Sequence, residues 1–135
     1  MPAGYSSTPL YKKLGIKEGF TVKLINAPSN YPLLIGNIFK AFTITNKKAE
    51  QVDFIHFFTN SIKELESKLP QLKNEIVKDG TIWVSWYKKS SKKPSELNDN
   101  IIRDTALAIG LVDVKVCAVN EEWSGLKLVY RLKDR

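Results

Sequence analysis

One stretch restricts the fold of this chain more than any other. Residues 78–93, KDGTIWVSWYKKSSKK, contain a run from Thr81 to Trp86 with apolar side chains at both odd and even positions. A strand with one face in water alternates polar and apolar residues. A strand without that alternation is covered on both faces, as in the middle of a parallel sheet flanked by helices. Asp79-Gly80 reads as the stop of a preceding helix, because glycine takes the positive φ that a helix C-cap favours. The loop that follows, Tyr87 to Pro94, holds Lys88, Lys89, Lys92 and Lys93. Loops leaving the carboxyl ends of such strands line the ligand crevice in open α/β sheets, so position and charge single out the same segment.

The rest of the chain supplies the strands and helices that such a strand needs. Met1 to Ser7 reads as a flexible leader, Thr8-Pro9 as a helix N-cap with proline at the first helical position, and Gly15 as that helix's end. Thr21 to Ala27 is the first strand, apolar except for Lys23 and Asn26, and residues 29–36 are a short capped helix. Ala41 to Thr45 is a second strand and Asp53 to Thr59 a third. The link between them is shorter than the dozen or so residues a helical crossover takes. Ser61 and Glu64 form a capping box for a helix carrying Leu65, Leu69, Leu72 and Ile76 down to Gly80, with a kink or restart at Pro70. Ser95 caps a second long helix, Glu96 to Ile109. Val112 to Val119 and Leu126 to Leu132 alternate and are joined by Asn120 to Gly125, so they form an antiparallel pair. The expected sheet order is second, first, third, fourth, sixth, fifth, in one domain spanning residues 1–135.

Composition narrows the classes of partner. The chain has 21 Lys and Arg against 14 Asp and Glu, a net charge of +7, which favours anionic partners: a small molecule, a nucleotide, an acidic protein segment or, weakly, nucleic acid. Outside the one loop the lysines are scattered, so solubility is the default reading of that charge, and the loop itself reads as either a solvated charge run or an anion site. Lysine dominates, and its mobile point charge suits specific phosphate or base recognition less well than the arginine fork. One cysteine, Cys117, permits no intramolecular disulfide and no zinc cluster and reads as a buried thiol. No membrane-length apolar run and no signal pattern are present, so the expectation is a soluble cytoplasmic protein.

Larger patterns carry a resemblance. The helix LxxxLPxLKxxIxxDG, the strand IWVSW, a helix and a closing antiparallel pair are similar to the second half of the Rossmann-like methyltransferases. The segments YSSTPLYKKLGIKEG, NAPSNY, WVSWYKK and GLVDVKVCAVNEEWSGLKLV resemble a family of small uncharacterised bacterial domains over nearly the whole chain. The resemblance implies a reduced, mainly parallel Rossmann-like sheet with helices on both faces and an antiparallel C-terminal strand. Family members tend to have proline where this chain has Tyr87. In methyltransferases, S-adenosylmethionine is cradled by a glycine-rich turn after the first strand and by a carboxylate after the second. Here those turns read Asn26-Ala27-Pro28-Ser29-Asn30 and Thr45-Asn46-Lys47, without glycine or acid. The third strand ends in Thr59-Asn60-Ser61, not in the Asn/Asp-Pro-Pro-aromatic motif of amino-methylating enzymes.

The candidate residues are ones that bind more readily than they react. His56, the only histidine, lies between Ile55 and Phe57 and reads as a neutral core residue with one hydrogen-bond partner, not a general base. Trp83 and Trp86 read as core, with Trp86 also near enough to the strand end to meet a ligand. Trp123 is either a lid on the core or an exposed contact. At the carboxyl edge of the sheet, Asn26, Asn30, Tyr31, Asn60, Ser61, Trp86, Tyr87, Lys88 and Lys89, with Trp123, form the candidate ligand site. Asparagine, serine and tyrosine orient a ligand without acid or base strength. The sequence therefore points to a non-catalytic binding or regulatory domain without catalytic or metal residues. A divergent S-adenosylmethionine-dependent methyltransferase is the alternative, and weak nucleic-acid binding the third.

Overall fold

The structure, a computed structural model, describes residues 8–47 and 50–135. The leader expected over Met1 to Ser7 lies outside them. Six strands form one sheet: β1 Thr21–Ile25, β2 Thr43–Ile44, β3 Val52–Phe58, β4 Ile76–Tyr87, β5 Leu111–Ala118 and β6 Trp123–Tyr130. Their order is β2-β1-β3-β4-β6-β5, the order read from the sequence. Strands β2, β1, β3 and β4 run parallel, and β6 is antiparallel to both β4 and β5. The two-faced strand is thus the boundary between the parallel and antiparallel halves, not the middle of a parallel sheet.

Alternate residues of β3 and β4 feed two separate cores, which explains why neither strand alternates. Ile55 and Phe57 of β3 with Ile82, Val84 and Trp86 of β4 pack under α3 (Ile62–Lys73) and α4 (Asp99–Ala108). Phe54 and Phe58 with Trp83 pack under α1 (Leu10–Leu14) and α2 (Tyr31–Ile35). The indole of Trp83 donates to the Leu14 carbonyl at 2.8 Å and so ties the end of α1 to the sheet. Gly15 turns the chain there with φ of 82°.

Several boundaries differ from the sequence reading. The helix after β3 ends at Lys73, not Gly80, because the Glu75 carbonyl accepts from Val52 and starts β4 alongside β3. Ile76, expected on the helix, is buried in the strand. Gly80 caps nothing: it lies within β4, where the pairing slips between Val52/Ile76 and Phe54/Thr81. A Cβ there would stand 3.0 Å from the carbonyl oxygens of Asp53 and Val77, so glycine is needed for a close backbone approach. α3 runs unbroken through Pro70, and α4 is capped by Asn98, whose Oδ1 accepts from Ile101, three residues beyond the expected Ser95. Pro9 is itself the N-cap of α1. The helix expected over 29–36 has no side-chain cap and passes into a 3-10 turn, Gly36–Lys40.

The short link between the second and third strands has a geometric explanation. β2 is two residues long, and Val22 of β1 faces both Ile44 and Phe54. Residues 45–51 therefore return the chain by little more than two strand spacings, about 10 Å, which an extended segment covers easily. Ile25 of β1 packs against the cluster that holds Leu65, Leu69 and Leu72 of α3.

Candidate functional site

The carboxyl ends of β1, β3 and β4 meet as expected, but their polar side chains bond mainly to one another. Asn26 takes a left-handed φ of 57°, the turn geometry a glycine would supply, and its amide donates to the Phe58 carbonyl at 3.1 Å and to Glu64 Oε1 at 3.2 Å. Thr59 Oγ1 donates to the same carboxylate oxygen at 2.5 Å, and Ser61 Oγ accepts from the Glu64 amide in the expected cap. Asn60 Oδ1 accepts from Tyr87 N at 2.8 Å and its carbonyl from Glu96 N, fastening the β3 turn to β4 and the segment before α4. Glu64, which the sequence suggested only as a capping partner, is the hub of this edge.

The aromatic candidates divide between the two faces. Trp86 is 8% exposed and packs beneath α3 and α4, on the opposite face from Tyr87 and Trp123. Trp123 resolves to the lid: it lies in β6, 8% exposed, edge-on to Phe58 at 4.9 Å and tilted by 36° against Tyr87 at 4.3 Å. It begins the strand expected to start at Leu126, because Trp123 pairs with Tyr87 and extends the ladder. Tyr31 is buried, whereas Asn26, Ser29 and Asn30 on that turn are exposed.

The lysine loop forms a 3-10 turn, Lys89–Ser91, with Lys89, Lys92 and Lys93 exposed and Lys88 half-exposed. Lys93 pairs with Glu122 and lies 5.2 Å from the Tyr87 ring centre, and the hydrogen bond to Glu122 holds its pKa above the ordinary lysine value. Lys88, Lys89 and Lys92 have no ion-pair partner among the described residues. No described contact joins Lys88 or Lys89 to Asn26, Asn30 or Ser61.

His56 is fully buried and holds two hydrogen bonds instead of one: Nδ1 with Tyr31 Oη at 2.9 Å and Nε2 with Ser85 Oγ at 2.7 Å. Burial lowers its pKa to about 3 and raises that of Tyr31 well above the ordinary tyrosine value. A base needs an accessible lone pair near neutral pKa, and this imidazole has neither. Cys117 is half-buried, not buried, and burial pushes its thiol pKa up, which disfavours the reactive thiolate. Among the described residues no group of three His, Cys, Asp or Glu side chains is placed to hold a metal, and no helix is long and apolar enough to cross a membrane.

One charged residue that the sequence marked only as an interruption is placed inside the fold. Lys23 of β1 is 2% exposed and pairs with Glu75 at 2.7 Å. The pair lines a cavity of about 280 Å³ between β1, the Thr45-Asn46 turn after β2 and the last turns of α3. Nothing in the local pattern of TVKLI separates a buried lysine from a strand-end surface lysine; the Glu75 partner, 52 residues away, is visible only in three dimensions.

The fold is that of the Rossmann-like methyltransferases. It is similar to CalO1, a methyltransferase in calicheamicin biosynthesis solved with S-adenosylhomocysteine bound (TM-score 0.63, 11% identity, 90% of this chain and 52% of that one). A putative type 11 methyltransferase from Sulfolobus solfataricus is similar over 90% of this chain and 89% of its own (TM-score 0.59, 17% identity). A TehB-like S-adenosylmethionine-dependent methyltransferase from Corynebacterium glutamicum matches over 96% and 91% (TM-score 0.62, 10% identity). The chain thus spans about half the length of CalO1 and most of the other two. Residues 37–132 match the family described as Protein of unknown function (DUF3052), and the chain belongs to that family. No curated protein matches it in sequence.

The residues present do not fit S-adenosylmethionine in the manner of that fold. The turn after β1 has the left-handed geometry but fills it with the Asn26 side chain, bonded across to β3 and α3. After β2 stand Thr45 and Asn46 where a ribose-binding carboxylate is expected.

Proposed function

We propose that this chain is a non-catalytic binding or regulatory domain on a methyltransferase-like fold, taking an anionic small molecule or nucleotide at the carboxyl edge beside Lys88 and Lys89. One observation carries this reading. Asn26, Thr59 and Asn60 at the edge are bonded internally and the only histidine is neutral in the core, while Lys88 and Lys89 have no ion-pair partner among the described residues and lie beside the Tyr87-Trp123 ring pair. The edge offers a cationic, aromatic-backed surface and no acid-base pair.

The solved structures favour a second reading, a divergent methyltransferase that holds S-adenosylmethionine in a mode of its own. Calorimetry with ATP and with S-adenosylhomocysteine, on wild type and a Lys88→Ala/Lys89→Ala variant, separates the two. The first reading expects saturable ATP binding that the variant loses while its melting temperature stays put. The second expects S-adenosylhomocysteine to bind both proteins alike. A ligand at ~100 times its dissociation constant stabilises by about 2.7 kcal/mol, so absence of both heat and thermal shift with either compound overturns both readings.

A further inference from the structure

We propose that the cavity beside Lys23 is a second, separate binding site, for a small carboxylate with an apolar body. It lies against the α3 face of the sheet, below the Thr45-Asn46 turn that leaves β2, shares no lining residue with the Lys88-Lys89 edge, and is independent of the reading above. The β2–β3 link brings no helix over this face among the described residues, so the space between β1, Thr45 and α3 stays open as a cavity of about 280 Å³. That is just below the usual range for ligand sites, about 300–1,000 Å³, and suits a molecule no larger than an amino acid.

The chemistry of the walls points to a carboxylate. An ammonium has three donors, and Lys23 uses one on Glu75 Oε1 while 98% of its surface is withdrawn from water. A buried charge is costly unless it is fully hydrogen-bonded, and no other protein acceptor is bonded to this one. The cavity is where further acceptors can come from. Lys68 at the rim adds a second positive charge, so Lys23, Lys68 and Glu75 leave the lining one positive charge in excess; Lys68 keeps only a long 3.8 Å pairing with Glu64. A carboxylate brings one negative charge and two acceptor oxygens. Ile25 and Leu72 offer apolar surface to the remainder of the molecule. Two sources share this chemistry, a free α-amino acid and a carboxylic or 2-oxo acid, and Glu75 Oε2, with no described hydrogen bond, distinguishes them by its ability to accept from an α-ammonium.

The test uses 4-methylpentanoate, its uncharged isostere 4-methylpentanamide, and leucine, followed by calorimetry and amide chemical shifts of the full chain. The expected result is saturable binding of the acid with shifts at Ile25, Thr45 and Leu72, and binding of the amide weaker by about tenfold or more, because it lacks the charge-assisted bond. Leucine binding more tightly than the acid would support the site with an amino acid as its ligand; leucine binding more weakly would support it with a non-amino acid. Replacing Lys23 alone leaves Glu75 uncompensated and risks unfolding. The variant is therefore Lys23→Met/Glu75→Leu, which removes both charges at similar volume. It should fold and lose the preference for acid over amide. Three results overturn the proposal: no saturation with the acid up to ~10 mM, equal binding of acid and amide by wild type, or an unchanged preference in the double variant.

Discussion

Acidification to pH 5 tests whether the Tyr31-His56-Ser85 chain is the neutral core network described above. His56 has a folded pKa of about 3 against an ordinary value of 6.5. A depressed histidine favours the neutral form in the native state, so the unfolded chain binds the extra proton and stability falls as pH drops below 6.5, levelling off near 3. Each pH unit inside that window costs about 1.4 kcal/mol, and at pH 5.0 the loss relative to pH 7.5 is about 2 kcal/mol. The chain has no other histidine, so between pH 7.5 and 5.0 this slope has one main source. Urea unfolding measured across that range on wild type and on His56→Gln is the assay. The variant is expected to be less stable throughout, with the slope gone. A wild-type stability that is flat from pH 7.5 to 5.0, or an equal slope in the variant, would refute the buried neutral histidine.

Three further outcomes follow from particular contacts. Tyr31→Phe removes the partner of His56 Nδ1 inside the core and should cost about 1–3 kcal/mol by urea midpoint, with little change in the folded spectrum. Gly80→Ala drives a methyl to 3.0 Å from two carbonyl oxygens, and a loss of about 1–3 kcal/mol in thermal unfolding is expected; a neutral result would show that β4 shifts freely there. Trp123→Ala empties the space against Phe58 and Tyr87 and should cost about 3–5 kcal/mol by urea unfolding, whereas an exposed contact residue would cost less than 1.

The sheet was legible in the sequence wherever side-chain pattern alone determines burial. Residues 53–59 and 81–86 lack alternation because both faces are covered, which places both strands inside the sheet; the strand order followed only with the methyltransferase-like resemblance and the closing antiparallel pair. Endpoints decided by tertiary pairing were not legible. Ile76 fits both a helical repeat and a strand, and only the Val52-Glu75 bond selects the strand. Asp79-Gly80 looks like a cap because glycine serves both turns and close approaches. The candidate edge assembled partly: Asn60 with Tyr87, and Tyr87 with Trp123, do meet. Composition could not reveal that Glu64 gathers Asn26 and Thr59, or that Lys23 has a buried partner, since both depend on residues far apart in the chain.

The two-residue length of β2 also bears on how this fold accepts new material. Loop closure cost grows only logarithmically, by about 0.6 kcal/mol for each doubling of length, and the segment between Ile44 and Val52 closes a gap of only about two strand spacings. A helix or a whole small domain spliced into this link would leave both flanking strands in register. The link is therefore a suitable place for an engineered reporter. Because Thr45 and Asn46 at its start line the Lys23 cavity, an insertion placed directly after them would sit at the wall of that pocket.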